Sequence, residues 1–71
     1  MSYSASDLET ADRHVSQAEQ HVVSQERIIS NLLLHGAPVE TAEALLVEFQ
    51  ETLRIHREHR DAIAAALARS R

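Results

Sequence analysis

The residues of this 71-residue chain most capable of chemistry are its five histidines. His14, His21 and His35 share one heptad position, with Ile28 between the last two, and His56 and His59 are three apart, so each set lies along one side of a helix. Imidazole and carboxylate groups together bind zinc and other divalent ions. His14, His21, His56 and His59 are therefore candidate metal ligands. The alternative, histidines that only flank a helix contact, is favoured because the paired Glu-x-x-His motifs of di-iron bundles are absent, and we expect no cofactor.

Three polar residues, Gln25, His56 and Arg60, occupy positions where the helical pattern calls for apolar ones. A buried polar layer often fixes the register or oligomeric state of a bundle at a cost in stability; the alternative is a bundle end wetted by solvent. Gln25 either bonds its symmetry mate across a dimer or extends its amide into solvent. Protonation of His56 near pH 6 would loosen an assembly. Together with the candidate metal ligands, this makes a pH-responsive or metal-responsive sensor the alternative function. Candidate partners of the layer are Asp12, Glu19 and Glu58.

Arg54, Arg57 and Arg60 form the one basic cluster. Acidic residues lie between them at the spacing of helical ion pairs: Glu51, Glu58 and Asp61. The net charge of the chain is −4, and non-specific nucleic-acid binding needs a basic footprint. We therefore expect a self-neutralised surface and no nucleic-acid partner.

Signatures of catalysis are missing from the sequence. With no cysteine and one glycine, it offers neither a thiol nucleophile nor a glycine-rich phosphate loop. Serines such as Ser16, Ser24 and Ser30 fall inside a helical pattern without the sharp turn that exposes a nucleophile. We expect a protein without enzymatic activity.

Two segments that position these residues show a heptad pattern, in which apolar or small residues are spaced alternately by three and four. We call these positions the seam: Leu8, Ala11, Val15, Ala18, Val22, Gln25, Ile29, Leu32, Ala42, Leu46, Phe49, Leu53, His56, Arg60, Ile63 and Leu67. Such a pattern is typical of coiled-coil helices that present one stripe to a neighbour. The predicted fold is all-α, an antiparallel two-helix hairpin.

The boundaries of the helices follow from end signals. Ser6 and Glu9 fit a capping box, Gly36 can adopt the left-handed conformation that ends a helix, and Pro38 suits a first helical turn. The predicted organisation is a disordered tail at 1–6 and a single domain at 7–69. Within that domain we expect a helix over about 7–35, a turn at 36–38 and a helix over about 38–69.

Apolar residues near the turn extend beyond the seam: Val23, Ile28, Leu33, Leu34, Leu45, Val47 and Ile55. A helix that is apolar over so wide an arc is usually covered on two sides. A homodimer, in which two hairpins form a four-helix bundle, covers this surface most simply. The predicted dimer interface consists of Val22, Val23, Ile28, Ile29, Leu32, Leu33, Leu45, Leu46, Phe49 and Leu53. The expected function is a self-associating protein–protein interaction module.

The sequence gives a weak indication of location. Its start lacks the basic and apolar regions of a signal peptide. Apolar runs such as residues 32–34 and residues 62–68 are far too short to cross a bilayer. The absence of cysteine fits a reducing compartment. We expect a cytoplasmic protein without a membrane partner.

Several short elements of the sequence form a recognisable pattern: residues 9–15 (ETADRHV), residues 25–29 (QERII), Gly36, residues 42–46 (AEALL), residues 49–53 (FQETL), His56 and Arg60. In these elements the chain resembles a group of small uncharacterised bacterial helical-hairpin proteins. The Glu-Arg-His-Val element of the group reads Glu-Gln-His-Val at residues 19–22, with Gln20 in place of arginine. The resemblance implies a helical hairpin and no catalytic activity.

Overall fold

A computed structural model describes residues 2–70, which form two long helices joined by a short connection. Helix α1 spans Ala5–Leu34 and helix α2 spans Glu40–Arg69. The two helices run antiparallel and pack against each other, and the described residues contain no strand. The predicted all-α hairpin is confirmed. Its open end is the end where α1 begins and α2 finishes.

Helix α1 begins with a capping box at Ser4. The backbone N–H of Asp7 donates to Ser4 Oγ at 3.2 Å, and the backbone N–H of Ser4 donates to the Asp7 carboxylate at 2.8 Å. These two bonds satisfy amides that have no partner inside the helix. The capping box predicted at Ser6 and Glu9 is therefore wrong, because the helix starts early enough to include Ala5 and Ser6. Residue 1 of the predicted tail lies outside the described residues.

Helix α1 ends in a Schellman motif centred on Gly36. The backbone N–H of Ala37 donates to Leu32 O at 2.9 Å, and that of Gly36 donates to Leu33 O at 3.1 Å. This geometry requires a left-handed residue after the cap, and Gly36 has a φ of 66°. Glycine adopts this conformation without the steric penalty of a Cβ atom. The predicted role of Gly36 is confirmed.

Helix α2 begins later than its sequence signals suggest. Val39 is the N-cap residue and makes no side-chain capping bond. Pro38, which was expected in the first helical turn, precedes the helix. Glu40 and Glu43 place negative charge in that turn, where it interacts favourably with the helix dipole. The start of α2 therefore depends on this charge and on packing against α1.

The core of the hairpin is the seam. All sixteen seam residues are buried or half-buried, which confirms the predicted periodicity. The buried members are Ala11, Val15, Ala18, Gln25, Leu53 and Ile63. Val15, Ala18 and Leu53 form a cluster that Val22 packs against. The core is a single layer of side chains because only two helices enclose it. It is also small, since two of the five buried apolar residues are alanines.

The shape of the molecule reflects that thin core. The hairpin measures 55 × 15 × 13 Å and has a radius of gyration of 16.3 Å, against about 11 Å for a compact domain of this length. Its accessible surface is 5357 Å², whereas a compact monomer of the same mass exposes about 4,400 Å². The seam is therefore flanked by two broad faces open to solvent.

Candidate interaction surface

The two broad faces of the hairpin lie on opposite sides of the seam and differ in chemistry. Residues two positions apart in a helix point about 200° apart, so Glu19 and His21 flank the seam on opposite sides, as do Arg57 and His59. The contacts between the helices agree with this division. Glu19 pairs with Arg57 on one side, while His21 contacts Phe49 on the other.

We name the two faces by their residues. The histidine face comprises Asp7, Thr10, His14, Gln17, His21, Ser24, Ile28, Asn31, Thr41, Leu45, Glu48, Thr52, Ile55, His59, Ala62, Ala66 and Arg69. The charged face comprises Ala5, Glu9, Asp12, Ser16, Glu19, Val23, Glu26, Ser30, Leu33, Glu40, Glu43, Val47, Gln50, Arg54, Arg57, Asp61, Ala64 and Ala68.

Aromatic and imidazole rings meet along the histidine face. The ring centroids of His21 and Phe49 are 5.5 Å apart, and those of His14 and His56 are 5.3 Å apart. At the open end Tyr3 and His59 meet edge to face at 6.3 Å. These two residues help to line a shallow groove of about 160 Å³. The half-buried seam residues and the flanking rings thus form a continuous strip from the turn to the open end.

The four candidate metal ligands separate into different contacts. His14 and His56 lie together, but His21 packs on Phe49 and His59 packs on Tyr3. Among residues 2–70, no three histidine or carboxylate side chains are grouped so that they could hold a metal ion. The hairpin therefore supplies a pair of imidazoles, and zinc sites generally use three or four protein ligands.

The polar seam residue Gln25 has a partner that the sequence did not indicate. Its side chain is 5 % exposed, and Nε2 donates to the backbone carbonyl of Ala42 at 2.9 Å. Neither proposed role for Gln25, a bond across a dimer or an amide in solvent, matches this geometry. The bond ties the last third of α1 to the first turn of α2.

The other two members of the polar layer, His56 and Arg60, are half-buried. Arg60 Nε donates to the carboxylate of Asp61 at 3.2 Å. Glu19, a candidate partner of the layer, instead receives a bond of 3.1 Å from Arg57 across the charged face. His56 contacts His14 rather than a carboxylate. The layer is thus an imidazole pair beside an arginine.

The basic cluster is neutralised as predicted for Arg54 and Arg60, which pair within α2, whereas Arg57 pairs with Glu19 of α1. Arg54 donates to Glu51 at 3.1 Å and to Glu58 at 2.5 Å. The hydrogen bond from Arg54 lowers the pKa of Glu51, and the same bond raises the pKa of Arg54. Both groups are open to solvent, where ion pairs contribute little to stability.

Large apolar side chains remain exposed on both faces. All seven residues predicted to extend beyond the seam are exposed, and Tyr3, which was assigned to the tail, is another. Ile28, Leu45 and Ile55 belong to the histidine face. Val23, Leu33 and Val47 belong to the charged face, and Leu34 points outward between the faces. Tyr3 precedes the N-cap residue Ser4, so helical spacing did not indicate its contact with His59.

Comparisons with family models, with curated proteins and with solved structures found no match to this chain. The resemblance to small bacterial hairpin proteins therefore stays a prediction. Within residues 2–70, neither helix combines the length and the apolar character needed to cross a bilayer.

Proposed function

We propose that this chain is a non-enzymatic, self-associating interaction module, and that two copies form a four-helix bundle. The observation that carries the proposal is the unburied apolar surface of the hairpin. Exposed fractions are 49 % for Ile28 and 51 % for Ile55 on one face, and 64 % for Val47 on the other. Small domains that cannot build a sufficient core usually rely on disulfides, metals or oligomerisation, and this sequence has no cysteine.

The dimensions of the hairpin support a partner of its own size. Its accessible surface exceeds that of a compact monomer of equal mass by about 900 Å². A stable interface buries about 800 Å² per partner. A face of 55 by 15 Å has a projected area of about that size. One second hairpin laid along one face therefore supplies the contact that the excess surface calls for.

The proposed dimer interface contains the half-buried seam residues and the apolar residues that flank them near the turn. The predicted set includes residues of both faces, with Ile28 and Leu45 on one and Val23 and Leu33 on the other. A single second copy covers one face and leaves the other free. The free face is where a module of this kind would contact another protein.

Thermal unfolding at different protein concentrations tests this proposal. Because a dimer is stabilised by mass action, the midpoint of unfolding followed by circular dichroism should rise as the concentration is raised from about 1 to 100 µM. A midpoint that stays constant over this range, together with a monomer mass, would refute self-association.

A pH-responsive version of the same module is the second candidate function. The observation that favours it is the contact between His14 and His56, whose ring centroids are 5.3 Å apart. Protonation of both rings would place two positive charges side by side near the seam. A zinc titration followed by thermal melts tests the metal-responsive version, which predicts a raised midpoint at micromolar zinc.

A further inference from the structure

We infer that the second copy docks on the histidine face. This choice leaves the charged face open to solvent and removes Val23 and Leu33 from the interface predicted from the sequence. The inference rests on the proposed self-association and specifies which surface carries it. The charges of the two faces distinguish them, and the apolar residues beside the seam and the exposed area show that the histidine face can hold a second copy.

The distribution of charge separates the faces most clearly. Along the two helices the histidine face has three charged residues: Asp7, Glu48 and Arg69. The charged face has nine, of which seven are acidic and the two basic ones are Arg54 and Arg57. Docking two copies through a face that is mostly acidic would bring like charges together and desolvate them. Docking through the histidine face buries few formal charges.

The apolar contacts beside the seam extend onto the histidine face. His21 lies against the half-buried ring of Phe49, and Ile28, Leu45 and Ile55 are exposed by 49 %, 38 % and 51 %. A second hairpin on this side would cover these side chains together with the half-buried seam. Neutral imidazole presents both an apolar ring and a hydrogen-bonding nitrogen, so histidines can enter such an interface without an uncompensated charge.

The length and area of the histidine face match those of a second hairpin. It runs the full 55 Å of the hairpin, so a partner of the same length can cover it from the turn to the open end. The surface in excess of a compact monomer, about 900 Å², is close to what one partner buries in a stable dimer. A second copy of this chain therefore fits both the length and the area of the face.

Two matched arginine substitutions test the choice of face. Ile28→Arg changes a residue that is 49 % exposed on the histidine face, and Val23→Arg changes one that is 45 % exposed on the charged face of the same helix. Val23→Arg is the control. Its effect on folding should be small because the new arginine lies one helical turn from both Glu19 and Glu26 and can pair with them. In sedimentation equilibrium, Ile28→Arg should raise the dimer dissociation constant about 100-fold or more. Val23→Arg should change it less than about threefold.

A second measurement does not depend on a disruptive substitution. The chain has no cysteine, so Thr52→Cys on the histidine face and Gln50→Cys on the charged face each provide a single exposed thiol. The rate of modification of Thr52→Cys by a maleimide should fall as the protein concentration rises through the dimer range. The rate for Gln50→Cys should stay constant.

The outcomes separate this inference from the proposed function. A dimer that is weakened equally by both arginine substitutions, or only by Val23→Arg, would overturn the choice of face and leave self-association intact. Concentration-dependent protection of Gln50→Cys in place of Thr52→Cys would do the same. A wild-type chain that is monomeric at 100 µM would overturn both proposals.

Discussion

Replacement of Gln25 by glutamate tests the buried hydrogen bond between the helices. Gln25→Glu keeps the size of the side chain but removes the Nε2 donor, which lies 2.9 Å from Ala42 O in a position that is 5 % exposed. At pH 7 a carboxylate oxygen would then face the carbonyl oxygen of Ala42 in place of a donor. An unsatisfied buried polar group costs about 1–3 kcal/mol, and more when charged. We expect a loss of about 2–4 kcal/mol in the free energy of unfolding, measured by urea denaturation.

The pH dependence of this variant has a definite sign. Burial raises the pKa of the new carboxyl group in the folded state above its unfolded value. A protonated carboxyl can donate to Ala42 O, so the stability is recovered below the unfolded pKa, about 4.3. It is lost as the pH rises through the raised, folded value.

Gln25→Leu is the control for that experiment, because it removes the hydrogen bond without adding a charge. We expect it to change the free energy of unfolding by less than about 1.5 kcal/mol and to show no added pH dependence. The reasoning would be refuted if Gln25→Glu were as stable as the wild type at pH 7. Equal effects of the two substitutions at every pH would also refute it.

Three further predictions concern the start of helix α1, the charged face and the response to acid. Ser4→Ala should lower the free energy of unfolding by about 1 kcal/mol through loss of the α1 cap, while Ser6→Ala, inside the helix, should have little effect in the same urea titration. Glu19→Gln breaks the ion pair of 3.1 Å with Arg57, in which both side chains are about half exposed. It should lower the free energy of unfolding by less than about 1 kcal/mol. A larger loss would mean that this pair is buried in the assembly. Lowering the pH from 7.5 to 5.5 should reduce the sedimentation mass of the wild type, because histidines in the proposed interface gain charge, and His56→Leu should respond less. The ionisable groups on that face besides the histidines are Tyr3, Asp7, Glu48 and Arg69.

Much of the hairpin could be predicted from the sequence because its pattern is periodic. Spacing by three and four identifies which side of each helix is buried, and every seam residue is at least half-buried in the structure. Gly36 was identifiable because few other residues tolerate a positive φ. The start of α1 was not, since Ser4 with Asp7 and Ser6 with Glu9 offer similar local caps.

The partner of Gln25 lay beyond sequence reasoning for a different reason. A heptad pattern shows which side of a helix faces its neighbour, but not which level of one helix meets which level of the other. The contact of Gln25 with Ala42 depends on that axial register. The histidine face was in principle accessible, because antiparallel helices place like heptad positions on the same side. Following that rule from His14 and His21 to His59 would have identified it.

The measurement that tests the central claim most directly is the molar mass of the wild-type chain in solution. We expect light scattering on a size-exclusion column to give twice the chain mass of 7.9 kDa at about 100 µM and pH 7.5, and to give a lower mass for Ile28→Arg. A mass of one chain for the wild type at that concentration would contradict self-association and, with it, the interaction module proposed here.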